Sequence, residues 1–417
     1  MARRSVRNVL VIAYHFPPLL GSSGLLRTLK FAKYLPEFGW HSIVVTPSIG
    51  AYENVGTEML IDMPSTVRVH RSWALDTARH LRLFGSYPRI LALPDRWVSW
   101  YASAVPVGLA AIRRYRPDVL ISTYPIATAH MIGSTLARIS GLPWVADFRD
   151  LMVDDHFPEN AMQRKVFGSI ERRTVERASR CMFTSPSALR VYAKRYRNAN
   201  PEAFRLVPNG YDEDDFEGLA DADRVRGDGP ATMVHSGVLY PNDRNPSCFF
   251  QALKILKDGG HLSAATLRVV LRSTGHDGVY RRMLEEFGVG DLVSLAEAVP
   301  YRAALQEMVS ADCLLLFQGP SCNHQIPAKL YEYLRAGPPI FALTDAAGDT
   351  AQLLRQTKGN HEIGNIDDAR DIADKLLRLL KRVPGSDRST YTAATCAPYS
   401  RRERARDVAD ILHELVD

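Results

Sequence analysis

The sequence predicts an α/β protein with two tandem domains, each built around a parallel sheet. Its 417 residues are more than one compact core accommodates and suffice for two domains of ordinary size. Short β-branched runs alternate with helical patterns in both halves, which is typical of βαβ units. A stretch rich in Asp and Gly at 212–229 interrupts this alternation and indicates an interdomain linker.

Each predicted strand is a short apolar run that ends in polar or turn-forming residues. In the first half these runs lie at 8–14, 41–46, 119–123, 144–148, 182–185 and 205–208, and a helical pattern covers 27–36. In the second half they lie at 232–236, 267–271, 292–295, 313–317 and 339–343. Helical patterns there cover 246–257, 279–287, 301–309 and 327–335, and a last one at 401–416 follows an irregular segment at 384–398.

Composition and charge narrow the class of protein. Apolar residues at 46% and charged residues at 24% are typical of a globular chain. The sequence has no apolar run long enough for a membrane span, and the N-terminus leads directly into a strand, so we predict no signal peptide. Five cysteines without a C-x-x-C pair favour a reducing cytoplasm. The net charge of +6 suits phosphate-rich ligands or an anionic membrane surface; without an RNA-binding or zinc-finger motif we do not expect nucleic acid.

The first predicted turn, at 15–24, is a candidate ligand site. It follows strand one and precedes a helix, where open parallel sheets bind ligands. Its glycines, Gly21 and Gly24, let backbone N–H groups approach a phosphate or a sugar. The segment is not G-x-G-x-x-G, and Thr46 rather than an acidic residue ends strand two, which argues against an NAD dehydrogenase. An ordinary βα turn is the alternative interpretation.

The second half opens with a similar turn at 235–240. A strand again ends in a small turn, here with Gly237, and Arg244 follows a few residues later. The planar guanidinium of an arginine donates two hydrogen bonds at once, which suits a diphosphate. An ordinary exposed arginine is the alternative.

The segment 326–334 carries the most specific pattern. Pro327 suits the first turn of a helix, where its missing N–H costs nothing. Lys329 stands in that turn although the helix dipole favours anions there, which is explained if an anion binds beside it. Glu332 is placed to accept hydrogen bonds from ribose hydroxyls. The alternative is an ordinary amphipathic helix with its apolar side chains turned inward.

Three charged residues, Asp147, Arg149 and Asp150, crowd the end of the strand at 144–148. They form either a self-satisfied salt bridge or a site for acceptor hydroxyls at a strand end. His130, on the preceding helix, is expected to pack or cap. The D-x-D sequence at 212–214 formally matches a metal motif, but in a polar stretch we expect solvated acids and predict no metal.

Together these segments resemble the family-4 retaining glycosyltransferases of the GT-B fold, over nearly the whole chain. Motifs at 93–95 with Trp100, 141–144, 147–150 and 207–212 resemble a bacterial branch of that family. The start of the chain resembles the same branch through Tyr14, Phe16, Pro17, Pro18, Gly21, Arg27, Lys30, Phe31, Lys33, Tyr34, Leu35 and Pro36.

The resemblance implies a role for the candidate residues. Arg244 and Lys329 would be the catalytic residues, stabilising the departing diphosphate. Glu332 matches the second Glu of the family's E-x7-E motif, which binds the donor ribose. His324 replaces the first Glu, which in the family contacts the transferred sugar.

The two predicted site sets follow from these roles. The donor-binding set is Gly21, Gly237, Arg244, His324, Pro327, Lys329, Leu330 and Glu332. The acceptor-side set is His15, Ser22, Ser23, Gly24, Asp147, Arg149 and Asp150.

The implied fold is two Rossmann-like domains facing across a cleft. An acceptor-side domain is expected at 1–211, a nucleotide-sugar domain at 212–396, and a helix at 397–417 that returns to the first domain. The implied function is metal-independent, cofactor-free, retaining transfer of a hexose from a UDP- or GDP-sugar to an unknown acceptor, in envelope polysaccharide, glycolipid or secondary-metabolite synthesis. The alternatives are a nucleotide-sugar 2-epimerase-like isomerase, which shares the fold, and a non-catalytic nucleotide-sugar-binding partner, because of His324.

The region 73–101 bears on the acceptor and on location. If exposed, it suits peripheral contact with a membrane and a lipid-linked acceptor, which would place the cytoplasmic protein at the inner face of the membrane. Alternatively, its apolar members pack the first domain. The residues concerned are Arg79, Arg82, Leu83, Phe84, Arg89, Trp97, Trp100 and Tyr101.

Overall fold

The chain divides into two compact units. The computed structural model describes residues 6–20, 23–57, 60, 63–81, 87–155, 157–219, 229–357, 359–382, 391 and 393–417. One unit, which we call the first domain, comprises Met1–Asn209 and Arg401–Asp417. The other, the second domain, comprises Gly210–Ser400.

The first domain is built on a sheet with seven strands in its described residues. Their spatial order is β3-β2-β1-β4-β5-β6-β7, and every neighbouring pair is parallel. Strands near the centre are buried on both faces, which explains their continuous apolar runs. The strands are β1 (Arg7–Ala13), β2 (Trp40–Pro47), β3 (Arg68–Ser72), β4 (Val119–Thr123), β5 (Trp144–Arg149), β6 (Arg180–Phe183) and β7 (Phe204–Leu206).

Helices connect these strands, and side chains at their first residues fix where some begin. The Asn160 side chain accepts hydrogen bonds from the N–H groups of Met162 and Gln163, and the Ser185 side chain accepts one from Ala188. The helices are α1 (Ser23–Tyr34), α2 (Thr77–His80), α3 (Trp100–Tyr115), α4 (Ala127–Ser140), α5 (Ala161–Arg177) and α6 (Pro186–Arg195).

The second domain contains a sheet with six strands in its described residues, again with every pair parallel. Their spatial order is β10-β9-β8-β11-β12-β13. The strands are β8 (Ala231–Ser236), β9 (Leu267–Arg272), β10 (Val293–Ala296), β11 (Cys313–Gln318), β12 (Ile340–Thr344) and β13 (His361–Gly364).

The helices of the second domain pack on both faces of its sheet through two clusters of buried apolar residues. They are α7 (Glu213–Phe216), α8 (Ser247–Asp258), α9 (Asp277–Phe287), α10 (Tyr301–Ser310), α11 (Ala328–Ala336), α12 (Asp349–Thr357), α13 (Ala369–Arg382) and α14 (Ala393–Cys396).

The last helix, α15 (Arg401–Glu414), belongs to the first domain, where it packs against α1. Its buried residues, among them Val408 and Leu412, share a core cluster with Phe31 and Leu35. The C-terminus of the chain therefore completes the core of the domain in which the chain begins.

In each sheet the strand order reverses once, between two adjacent strands; this place is called the switch point of the sheet. The pair is β1 and β4 in the first sheet and β8 and β11 in the second. Loops that leave the carboxyl ends of such strands diverge, and open α/β sheets bind ligands in the resulting crevice. The fold thus marks one candidate site in each domain.

The prediction of two tandem α/β domains with parallel sheets is confirmed, with two strands added. The sequence pattern gives no signal for β3 or β13, because both lie at a sheet edge and alternate charged or polar residues with few apolar ones. Edge strands lack a neighbour on one side and need no continuous apolar run.

The prediction of a linker at 212–229 is corrected at its start. Residues 213–216 form α7 inside the second domain, with Phe216 buried beside Tyr211. The acidic residues there serve the helix: the Asp212 side chain accepts a hydrogen bond from the N–H of Asp214, and carboxylates in the first turn complement the helix dipole. Residues 220–228 lie outside the described residues.

Candidate functional site

The carboxyl ends of β8 and β11 assemble the candidate residues of the second domain. β8 ends at Ser236 and is followed by Gly237, and β11 ends at Gln318 and is followed by Gly319. The loop after β11 leads to α11, whose first turn therefore lies at the same edge of the sheet.

Lys329 lies in the first turn of α11, and its half-buried side chain reaches the end of β8. Its Nζ atom is 3.4 Å from Nε2 of His235. Burial, and after it the charge of Arg244, lower the Lys329 pKa to about 7, while Glu332 acts in the opposite direction. A second cation and a helix N-terminus beside an ammonium make this position unfavourable for a cation and favourable for a bound anion.

Gly237 provides the surface against which the ammonium lies. Its φ is 110°, in the left-handed region that favours glycine, and its N–H donates to the Arg272 carbonyl at 2.9 Å. A Cβ atom at this position would be only 2.9 Å from Nζ of Lys329. The backbone conformation therefore favours glycine here, and a larger residue would displace the flexible end of the Lys329 side chain.

His235 supports the same position from inside the domain. It is fully buried at the end of β8, with Nδ1 2.9 Å from the Leu315 carbonyl and Nε2 3.0 Å from the Gly237 carbonyl. Burial, and then the charge of Lys329, hold the pKa of His235 well below its ordinary value. The imidazole is therefore neutral at pH 7.

Arg244 is held at the end of a turn that packs on β11. Its backbone N–H donates to the Tyr240 carbonyl at 2.8 Å, and its guanidinium lies over the Tyr240 ring at 5.6 Å. The Nε atom of Arg244 is buried and has no hydrogen-bond partner among the described residues. Gly319 fixes the turn, because its N–H donates to the Asp243 carbonyl at 2.8 Å and a Cβ there would collide with that oxygen.

Glu332 lies one turn along α11, with 7% of its surface exposed. One of its carboxylate oxygens accepts a hydrogen bond from the Tyr301 hydroxyl at 2.8 Å. Tyr301 therefore fixes the orientation of the carboxylate. The sequence offered no signal for this partner, which comes from a different helix.

The other predicted donor residues with described positions in this domain are Pro327, Leu330 and His324, and they differ in burial and in contacts. Pro327 is the residue before α11, and its carbonyl accepts a hydrogen bond from the N–H of Leu330 at 2.9 Å. The Leu330 side chain is fully buried in the core, so its predicted contact with the donor stays a prediction for its backbone alone. His324 is half-buried in the loop between β11 and α11.

The first domain also brings predicted residues together at its switch point. Arg149 donates from Nη1 to the carbonyls of Gly24 at 3.0 Å and Tyr124 at 3.2 Å. A Cβ on Gly24 would lie 2.8 Å from Nδ1 of His15 and 2.9 Å from Nη1 of Arg149. Burial, followed by the charge of Arg149, lowers the His15 pKa to about 3, so His15 is neutral at pH 7.

Asp147 forms a buried salt bridge with Arg27, a partner that the sequence pattern did not indicate. Its carboxylate accepts hydrogen bonds from Arg27 at 2.9 and 3.0 Å and from the Thr123 hydroxyl at 3.0 Å, with 2% of its surface exposed. The salt bridge predicted as one alternative is therefore made to Arg27, not to Arg149, and these contacts favour a structural role for Asp147 over its predicted contact with an acceptor. Asp150 is exposed.

Some predicted residues cannot be placed. Gly21 and Ser22 lie outside the described residues, as do Arg82, Leu83 and Phe84 of the 73–101 region. Ser23 is the first residue of α1, and its side chain and that of Arg89 are likewise outside the description.

The packing of the 73–101 region is mixed. Trp100 is fully buried in the core of the first domain, and Trp97 and Tyr101 pack against that core. Ile90, Leu91 and Trp73 are exposed. The packing interpretation therefore holds for Trp97, Trp100 and Tyr101, and membrane contact of this region stays a prediction.

The described part of the chain contains neither a metal-site cluster nor a helix suited to a membrane. No cluster of three or more His, Cys, Asp or Glu side chains there has the arrangement of a metal site. Among the helices described, none is long and apolar enough to cross a membrane.

Comparison with solved structures shows the class of fold. Sucrose-phosphate synthase from Thermosynechococcus elongatus aligns with a TM-score of 0.68 at 15% identity, over 98% of this chain and 99% of that chain. HepE from Anabaena, in complex with UDP and glucose, aligns with a TM-score of 0.65 at 14% identity, over 98% and 100%. The lipopolysaccharide outer core galactosyltransferase WaaB aligns with a TM-score of 0.64 at 12% identity, over 98% and 99%. The chain therefore has the GT-B fold of these glycosyltransferases.

Comparison with family models gives a match within the first domain. Residues 26–210 match the model described as a glycosyl transferase 4-like domain. A search of curated proteins gave no match. The predicted resemblance to family-4-like glycosyltransferases of the GT-B fold is confirmed.

Proposed function

We propose that the protein transfers a sugar from a nucleoside-diphosphate sugar, bound by the second domain, to an acceptor. The observation that carries this proposal is the convergence of positive charge, from the half-buried side chains of Lys329 and Arg244 and from the N-terminus of α11, at one edge of the second sheet. Like charges repel more strongly where water has reduced access, so an anion bound there stabilises the arrangement. A diphosphate supplies the required charge and accepts several hydrogen bonds at once.

The reaction follows from what these groups do for a leaving diphosphate. The bond from the anomeric carbon to the phosphate oxygen breaks while the acceptor oxygen bonds to that carbon, and the acceptor proton passes to the departing phosphate. Lys329 and Arg244 stabilise the negative charge that develops on the leaving group. Attack from the face that the diphosphate leaves would retain the anomeric configuration, and no metal is needed because the two cations neutralise the phosphates.

The remaining donor contacts are assigned by position. Glu332, oriented by Tyr301, binds the ribose hydroxyls. His324, in the loop that leads to α11, contacts the transferred hexose. HepE was solved with UDP and with UDP-glucose, which makes uridine nucleotides the first donors to test, ahead of guanosine nucleotides.

The acceptor belongs to the first domain in this proposal. His15, Gly24 and Arg149 meet at its switch point and line the acceptor side, with Asp150 exposed nearby. The exposed apolar residues Trp73, Ile90 and Leu91 support peripheral contact of a cytoplasmic protein with a membrane and a lipid-linked acceptor.

Substituting the two cations tests the donor site. K329M and R244A should each weaken UDP binding about 10- to 100-fold, because each loses a hydrogen bond to a charged group. Turnover with the cognate UDP-sugar should fall about 100-fold, as for loss of one oxyanion contact. Isothermal titration calorimetry and a transfer assay measure the two effects.

A lysine on the same domain provides the matched control. Lys254 is half-exposed on α8 and pairs with Asp258 one turn along, so K254M should leave affinity and turnover unchanged. Equal binding by K329M, R244A and wild type would contradict the proposal. Epimerised nucleotide sugar without acceptor would indicate an isomerase, and binding without transfer or hydrolysis a non-catalytic partner.

A further inference from the structure

His235 is a buried polar side chain to which the proposed donor site assigns no contact with the ligand. It is fully buried between the end of β8 and the Phe317 ring, whose centroid is 5.3 Å from its own. Both ring nitrogens nevertheless face polar atoms: Nδ1 faces the Leu315 carbonyl, and Nε2 faces the Gly237 carbonyl and the Lys329 ammonium. Because buried polar atoms in proteins normally have hydrogen-bond partners, these contacts indicate what the buried imidazole does.

Counting protons selects one arrangement of the ring. A neutral imidazole has one N–H donor and one lone pair. With the N–H on Nδ1, the ring donates to the Leu315 carbonyl at 2.9 Å, and its Nε2 lone pair accepts from Lys329 at 3.4 Å but also faces the Gly237 carbonyl. With the N–H on Nε2, the ring donates to the Gly237 carbonyl at 3.0 Å, the Nδ1 lone pair faces the Leu315 carbonyl, and Lys329 has no acceptor on the ring. Each arrangement satisfies one carbonyl, so the contact with Lys329 favours the first arrangement while the lysine is charged.

We propose that His235 is a positioning residue for Lys329. Its Nε2 lone pair holds the ammonium over Gly237, at the place where the diphosphate binds, and its Nδ1–H to Leu315 fixes the ring. This inference rests on the proposed function of the donor site and adds to it the residue that orients the catalytic lysine.

The other charged groups near Lys329 do not serve this purpose. Arg244 repels the ammonium, and the Glu332 carboxylate, though attractive, is oriented by Tyr301. Among the described residues, His235 is the side chain that offers Lys329 an acceptor at hydrogen-bonding distance. A lysine chain has several rotatable bonds, so a fixed acceptor reduces the freedom lost when the ligand binds.

Two substitutions test the contacts of the two ring nitrogens one at a time. In H235N the amide nitrogen takes the place of Nδ1 and can donate to Leu315, but nothing occupies the place of Nε2. In H235Q the amide oxygen takes the place of Nε2 and can accept from Lys329. We expect H235N to weaken UDP binding about tenfold, a conservative value for a hydrogen bond to a charged group, and H235Q to stay within about threefold of wild type.

A double-mutant cycle and a second histidine complete the experiment. In the K329M background H235N should have no further effect on UDP affinity, because the residue acts through Lys329. H130N is the matched control: His130 is also fully buried, with Nδ1 2.8 Å from the Ser122 hydroxyl, but lies in the first domain. It should alter stability without altering UDP affinity.

The outcomes are distinguishable. Equal affinities of H235N and H235Q, or an H235N effect that adds in full to that of K329M, would overturn the positioning role while the donor site stands. Absence of UDP or GDP binding by the wild-type protein would overturn the proposed donor site and this inference with it.

Discussion

At the scale of single residues, the central feature is a lysine whose protonated form is disfavoured in the absence of a bound anion. Lys329 is half-buried beside Arg244, with Glu332 as the opposing charge and the neutral His235 as acceptor. A bound diphosphate adds negative charge next to the ammonium and raises the pKa of Lys329 above about 7. Ligand binding and proton uptake are therefore linked at this residue.

The linkage predicts how affinity depends on pH. Below pH 7 Lys329 is charged with or without ligand, and its contribution to affinity is constant. Above pH 7 the free protein loses the proton while the complex keeps it, so UDP affinity should fall, by at most about tenfold per pH unit. Calorimetric titrations from pH 7.5 to 9, above the phosphate pKa of about 6, measure this slope.

The same lysine supplies the control for that prediction. K329M has no proton to take up, so its weaker affinity should be flat across the same range. Affinity that rises with pH in the wild type, or an equal slope in K329M, would contradict the linkage.

At the scale of elements, the site depends on two chain segments that approach closely. The turn after β8 passes under the first turn of α11 at Gly237, whose missing side chain leaves room for Nζ of Lys329. The turn at 240–244 meets the end of β11 at Gly319. These glycines let separate segments bring Lys329 and Arg244 together.

Gly237 permits a test at this scale. G237A should bring a methyl group within 2.9 Å of the Lys329 ammonium, displace that flexible end of the side chain, and weaken UDP binding by up to about tenfold. The left-handed backbone adds about 1–2 kcal/mol of strain.

The variant G288A distinguishes the effect of displacing Lys329 from the effect of strain in a left-handed backbone. Gly288 has φ 67° at the end of α9, and a Cβ there would meet nothing within 4 Å. This variant should lose stability by a similar amount and keep its UDP affinity. Equal affinity of both variants would contradict the role assigned to Gly237.

The elements also show what the sequence could predict. Continuous apolar runs mark the central strands, and Pro327 with Lys329 marks the start of α11, because both patterns arise from local geometry and burial. The partners Arg27 of Asp147 and Tyr301 of Glu332 are 120 and 31 residues away in the chain, respectively. Such pairs depend on tertiary packing, which no local pattern encodes. The edge strand β3 was missed for the related reason that little of it is buried.

At the scale of the whole molecule, two domains with parallel sheets divide the chain, and the chain returns to the first domain in α15. The buried residues of α15 close the core over α1. The stability of the first domain therefore depends on the last seventeen residues of the sequence, Arg401–Asp417.

Truncation of one side chain tests this dependence. Leu412 is fully buried on α15, so L412A should destabilise the first domain by about 2–5 kcal/mol. Hydrogen exchange should then increase in β1 and α1 but not in β8 and α11. L376A, at a fully buried position of α13, is the matched variant and should increase exchange in the second domain instead. Unchanged exchange in α1 of L412A would contradict the packing described.

The most direct test of the account is a thermal-shift titration of wild type, K329M and R244A with a panel of UDP- and GDP-sugars. A ligand that binds the folded protein raises its melting temperature, and the shift grows with the logarithm of the ligand concentration divided by Kd. We expect at least one nucleotide sugar to stabilise the wild type and both variants to need about 10- to 100-fold more of it for the same shift. No shift with any member of the panel, or the same shift in all three proteins, would contradict it.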